Sequence, residues 1–134
     1  MKILLIILSI TTFSFSTVLE DYLNDLEKKV IKEQPDFKGF DYKRGEKIFT
    51  STHIGKRGKE ISCASCHGMN LNKAHKNFFT GKVIEPLSPK ANKDRFTKKK
   101  HIKKWLKRNF KDVYNRVGTN LEKGDVVTYI VNKE

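Results

Sequence analysis

Cys63-Ala64-Ser65-Cys66-His67 is the stretch from which the rest of the chain is read. Two thiols spaced C-x-x-C on one helical turn can add to the two vinyl groups of a haem as thioethers. The residue that follows, His67, then lies under the iron as its proximal imidazole. No other cysteine occurs among the 134 residues, so disulfides are not the staple of this fold, and one motif implies one haem c. Other uses of such a pair fit poorly. A thioredoxin-like dithiol sits in a βαβ pattern, which is absent, and a zinc site requires two further ligands at suitable spacing.

The beginning of the chain reads as an address. Met1-Lys2 supplies a positive n-region, and Ile3 to Phe13 is apolar apart from Ser9, Thr11 and Thr12. Ser14-Phe15-Ser16 places small residues where a signal peptidase reads. The apolar run is shorter than the roughly 20 residues that span a bilayer. Residues 1–16 are therefore expected to be a signal peptide removed before Thr17, leaving residues 17–134 as one domain in the periplasm. Its loss takes away only Lys2, so the net charge falls from +13 to +12. A field of that sign favours anionic partners, an acidic redox protein or anionic lipid. Export and the absence of a nucleic-acid-binding motif speak against nucleic acid, and a monomer is expected. A domain this small buries a modest core and leans on a cofactor.

Leu19, Tyr22, Leu23, Leu26 and Val30 recur at helical spacing and predict an amphipathic helix over 18–32, ended by Pro35 and Gly39. A second helix is predicted from the N-cap Asp41 to about Thr50, with Tyr42, Gly45 and Phe49 along one side. His53 to Glu60 reads as an exposed basic loop. Residues 68–93, with Gly68, Gly81, Pro86 and Pro89, read as a long segment able to wrap a ligand. Helical periodicity returns from Phe96 to Asn109, where Ile102, Trp105, Leu106 and Asn109 share a stripe. Thr119-Asn120-Leu121-Glu122 matches a capping box. It opens a last helix with Val126, Val127, Ile130 and Tyr129 toward the core.

The sixth iron ligand is the open question. A methionine well downstream of the attachment site is common in electron carriers of this chemistry. Here Met1 leaves with the signal peptide, and Met69 lies two residues after His67, too near to reach the opposite haem face. His53, His75, His101, a lysine, Asn109 or an open position remain. His75 lies in the segment that can fold over the haem, and His101 stands in a run of lysines, as a solvated residue does. Asn109 shares the apolar stripe, yet also suits a helix C-terminus, where asparagine tolerates the left-handed conformation.

Arg44-Gly45 with Phe49, Cys63 to Gly68, Thr80-Gly81-Lys82 and Pro86-Leu87-Ser88-Pro89 form the first part of an ordered set of motifs. Arg95-Phe96-Thr97, Lys104-Trp105-Leu106 with Arg108-Asn109, and Glu122-Lys123-Gly124-Asp125 complete it. From about Tyr42 to Ile130 the sequence thereby resembles the sphaeroides haem protein family, high-spin class I cytochromes c, and a related uncharacterised cytochrome c domain family. The resemblance implies that the amide of Asn109 is the sixth ligand of ferric iron. It implies that this ligand lets go on reduction and opens a site for oxygen, nitric oxide or carbon monoxide. A dihaem cytochrome c is the implied electron donor, with a membrane cytochrome b upstream. Members of that family carry a cysteine just after the asparagine and another eight positions later, joined as a disulfide. Phe110 and Gly118 stand there in this chain, so packing alone holds the Asn109 segment.

The expected fold is all-α, a small class I cytochrome c fold around one covalent haem. Cys63 and Cys66 are its expected attachment residues, His67 and Asn109 its iron ligands, and Pro86, Leu87, Phe96 and Trp105 its pocket walls. The expected function is one-electron transfer with diatomic gas binding in the reduced state. The alternative is a simple electron carrier with a permanent sixth ligand other than methionine. No catalytic constellation beyond the haem is visible, which leaves a haem-based oxidoreductase or gas-detoxifying activity open.

Overall fold

In the computed structural model, which describes residues 17–134, the apolar positions of the first helix find their partners at the far end of the chain. The expected signal peptide, residues 1–16, lies outside the described residues. In chain order the elements are α1 (Thr17–Glu33), α2 (Tyr42–Thr50), β1 (His53–Ile54), β2 (Glu60–Ile61), α3 (Cys63–His67), β3 (His75–Lys76), β4 (Val83–Ile84), α4 (Lys99–Tyr114) and α5 (Asn120–Asn132). Leu19, Tyr22 and Leu26 of α1 pack against Ile102 of α4 and against Val127 and Val131 of α5. A second cluster joins Phe49 of α2, Leu71, Phe110 of α4, and Val126, Tyr129 and Ile130 of α5. Phe96 and Leu106 touch both clusters. No described helix is long and apolar enough to cross a membrane.

In the second cluster α2 lies against α5. A Cβ at Gly45 would overlap the Asp125 carbonyl and stand 2.8 Å from the Tyr129 Cβ, so only glycine permits this approach. Arg44 spans the contact. Its Nε and Nη2 donate to the Asp125 carboxylate at 2.7 and 2.9 Å, and the Asp41 N–H donates to the same group at 2.7 Å. A carboxylate buried to 1 % exposure is costly unless paired and hydrogen-bonded, and here three donors meet it. Asp41 in turn caps α2, accepting from the Arg44 N–H at 2.7 Å.

Three expectations are corrected. Within a fold otherwise built of helices, the basic loop and the wrapping segment each hold a short ladder: β1 pairs antiparallel with β2, His53 opposite Ile61, and β3 with β4, His75 opposite Ile84. Gly58 and Gly81 turn these hairpins at φ +67° and +66°, and the Asn77 side chain accepts from the N–H groups of Phe79 and Thr80. The stretches read as a basic loop and a wrapping segment are thus partly ordered by ladders too short to show periodicity. The helix expected over 96–109 instead runs from Lys99 to Tyr114. Phe96 takes a left-handed φ of 61°, which delays its start, and the left-handed residue that ends it is Asn115. Asn109 lies inside the helix, so a role as its C-terminal cap is ruled out.

Gly45→Ala is expected to destabilise the protein by about 1–3 kcal/mol, the usual cost of forcing atoms into a filled contact. The check is the denaturant midpoint of the haem-loaded protein at unchanged m-value.

Candidate haem site

The attachment segment is fixed at both ends by its own sequence. Ser62 caps α3, accepting from the Ser65 N–H at 3.2 Å, while the Ser62 N–H donates to Ser65 Oγ at 2.9 Å. This capping box makes a five-residue helix out of Cys63–His67. At the other end the Gly68 N–H returns to the Ala64 carbonyl at 2.8 Å. Cys63 and Ala64 rest on the Phe49 cluster.

Cys63, Cys66 and His67 line a cavity of about 640 Å³ that opens into the core. Of the expected wall residues, Leu87, Phe96 and Trp105 line it, as do Ile102, Leu106 and Asn109 on α4. Pro86 does not; its carbonyl accepts from Arg95 Nε at 2.9 Å. Sequence reading missed Phe49, Ile61, Val126 and Ile130 as lining residues. Their alternation on apolar faces marks them as core, and nothing local separates core from cavity lining. It also missed Arg95, whose Nη2 donates to the Glu85 carbonyl at 2.8 Å. Partial burial lowers its pKa, against the opposing effect of Glu85.

Burial, together with the neighbouring Cys66, pushes the Cys63 thiol up to about 12. That is the opposite of the activated thiolate of a redox dithiol. Burial, aided by the charges of Arg95 and His75, pushes His67 down to about 4. Its imidazole is therefore neutral near pH 7. The His67 ring lies 6.2 Å from that of Phe49.

The other histidines separate clearly. His75 packs on Gly68, and its Nε2 is 3.0 Å from the Asn70 carbonyl, which ties it to the turn leaving the attachment helix. His53 stacks on Tyr114 with centroids 4.1 Å apart. His101 lines the cavity but is exposed. Met69 is 51 % exposed. Asn109 is half-buried on the cavity wall, and among the described residues its side chain has no hydrogen-bond partner.

The donor set fits a covalently held haem. An apolar cavity within the roughly 300–1,000 Å³ of small-molecule sites carries two thiols, one neutral imidazole and one free amide. Next to it, Phe110 and Gly118 are in close contact. A Cβ on Gly118 would stand 2.7–2.8 Å from the Phe110 ring, and Phe110 is 4 % exposed.

Residues 35–130 match the model of a family described as a domain of unknown function, DUF1924. The chain is 40 % identical over 90 residues to the cytochrome c-type protein SHP of Cereibacter sphaeroides, covering 67 % of this chain and 69 % of that one. The structure of oxidized SHP, described as an oxygen-binding cytochrome c, superposes with a TM-score of 0.71 at 34 % identity, over 84 % of this chain and 95 % of that one. Oxidized cytochrome c″ from Methylophilus methylotrophus superposes with a TM-score of 0.79 at 26 % identity, over 88 % and 96 %. A solution structure of the latter is described as giving insight into haem-ligand detachment. The five-helix arrangement shared with these proteins replaces the small class I cytochrome c fold expected from the sequence.

Gly118→Ala is expected to displace the Phe110 ring and loosen the α4 segment that carries Asn109, costing about 1–3 kcal/mol. Guanidinium unfolding measures the loss, and Phe110→Leu in the same chain should recover part of it.

Proposed function

The chain belongs to the family of the cytochrome c-type protein SHP and of the DUF1924 domain, and from that membership we propose that it is a periplasmic gas-binding cytochrome with Asn109 as a displaceable sixth ligand. It is a monohaem c-type cytochrome with one covalently attached haem c. When bound, the haem supplies one-electron exchange and a position for an exogenous ligand.

In this reading Cys63 and Cys66 are the thioether residues, and His67 offers a nitrogen from which no proton has to be displaced near neutral pH. Arg95, held by two backbone carbonyls on the cavity wall, presents a positive charge to the carboxylates of the haem periphery. Ile102, Leu106 and Trp105 keep the wall apolar around Asn109. A neutral amide oxygen is a hard, weak ligand that suits ferric better than ferrous iron, so Asn109 yields its place to oxygen, nitric oxide or carbon monoxide in the reduced protein.

The observation that carries this reading is the situation of Asn109, mid-helix on the cavity wall with its amide unengaged by any described residue. The oxygen binding described for SHP and the haem-ligand detachment described for cytochrome c″ support it. On family grounds we also propose a dihaem cytochrome c as electron donor, with a membrane cytochrome b upstream, and a monomeric state.

Because thioethers are covalent, the haem is expected to stay with the chain through denaturation and acid–organic extraction. The double variant Cys63→Ala, Cys66→Ala should lose it, as an extracted absorption spectrum will show.

The reduced wild type is expected to be high-spin and to shift its visible spectrum at once with carbon monoxide or nitric oxide. Oxidised Asn109→Ala should be high-spin or water-ligated. A reduced protein that stays low-spin and indifferent to carbon monoxide would favour the plain electron carrier. His101, the other histidine on the cavity wall, would then be the next ligand to replace.

A further inference from the structure

Beside the haem cavity lies a second concavity of reversed chemistry, about 860 Å³ in volume. Lys56 and Arg57 enter it from the turn joining β1 to β2, and Lys104, Lys107, Arg108 and Lys111 from α4. Asp112 is the one carboxylate on its wall, and Arg108 engages it at 3.8 Å. Among the described residues, none of the other five cations has a carboxylate within ion-pairing distance. Elsewhere the chain does pair such groups: Lys99 with Asp21 and Asp25, Arg116 with Glu122.

Five unpaired like charges around one concavity repel each other and weaken the folded state. An anionic occupant removes that penalty. The cations are spread over two elements and a volume far larger than one phosphate fills, which fits a surface bearing several carboxylates. Asn77, Phe79 and Thr80 line both this cleft and the haem cavity, and Arg57 lies over the Phe79 ring at 4.5 Å. An occupant of the cleft is therefore separated from the haem cavity by a single layer of side chains.

We propose that this basic cleft is the docking surface for the acidic face of a one-electron redox protein, seated against the shared Asn77–Thr80 wall. The proposal rests on the haem reading above. One electron passes from the reduced donor, an iron–sulfur or haem protein, to the ferric haem, and no atom is transferred.

The test uses the haem-loaded full chain, with a reduced acidic [2Fe–2S] ferredoxin as probe. Binding is measured by NMR titration against the oxidised ferredoxin, and the bimolecular reduction rate by stopped flow. Lys56→Glu, Lys107→Glu and Lys111→Glu combined are compared with Lys28→Glu, Lys29→Glu and Lys32→Glu combined, the same charge change placed on α1. The cleft triple is expected to weaken binding and slow reduction by roughly tenfold or more at low ionic strength, and to flatten the salt dependence. The α1 triple should lose no more than about threefold. Glutamine at the three cleft positions should act in the same direction with a smaller loss, which guards against a folding defect. Unchanged spectra and carbon monoxide binding in all variants keep this test separate from the haem reading. Equal losses in the two charge-reversed triples would overturn the proposal in favour of overall charge. Displacement of ferredoxin by submillimolar inorganic phosphate at constant ionic strength would overturn it in favour of a small-anion site.

Discussion

With no side chain at Gly45, the backbone of α2 rests on the Asp125 carbonyl of α5, and Arg44 reaches over that contact to the buried Asp125 carboxylate. Much of the site follows from this one approach. Phe49 lies one turn further along α2 and is pressed against Val126, Tyr129 and Ile130; its ring centroid is 5.3 Å from that of Tyr129. Phe49, Val126 and Ile130 then form part of the cavity wall, and the ring of His67 stands beside Phe49. The position of His67 is thus tied to a glycine more than twenty residues earlier. The ion pair adds direction, since a bidentate guanidinium fixes orientation as well as distance.

The site keeps charge out of its interior and gathers it at its edge. Inside, a thiol held near 12 and an imidazole held near 4 are both neutral at physiological pH, and burial is the leading cause of both shifts. The same desolvation therefore favours the uncharged form of both Cys63 and His67. Among the charged residues that line the cavity, Arg95 is half-buried, and it is tolerated because two carbonyls accept hydrogen bonds from it. Outside, the cations of α4 that face away from the apolar stripe form the basic cleft. One helix thus supplies both chemistries, because its period places Ile102 and Leu106 on a different face from Lys107 and Lys111.

How much of this was legible depended on whether a residue's role was local. The attachment motif, the α1 stripe, the Asp41 cap and the Thr119–Glu122 capping box are short-range patterns, and all appear where the sequence places them. The hairpins were hidden because two-residue strands carry no period. The end of α4 was misread because asparagine is a poor helix former. Phe110 and Val113 continue the buried face past it, and that packing overrides the propensity. The motif pairs Arg44-Gly45 and Gly124-Asp125 were visible as matches, but their reason was not. It lies in a contact across 81 positions of chain.

The close contact of Phe110 with Gly118 bears on how firmly Asn109 is held. A disulfide stabilises mainly by restricting the unfolded chain, whereas a ring against a glycine acts only in the folded state, through burial and close contact. The aromatic contact also continues: the Phe110 ring meets Tyr114 at 5.3 Å, and Tyr114 donates to the Ile48 carbonyl of α2 at 2.7 Å. The turn of α4 after Asn109 is therefore anchored to α2, the same helix that the Gly45 contact locks to α5. Such an anchor is insensitive to reductants, so the segment that carries Asn109 keeps its geometry in an environment that would open a disulfide. Its strength instead depends on temperature and on core packing, since hydrophobic burial weakens on cooling.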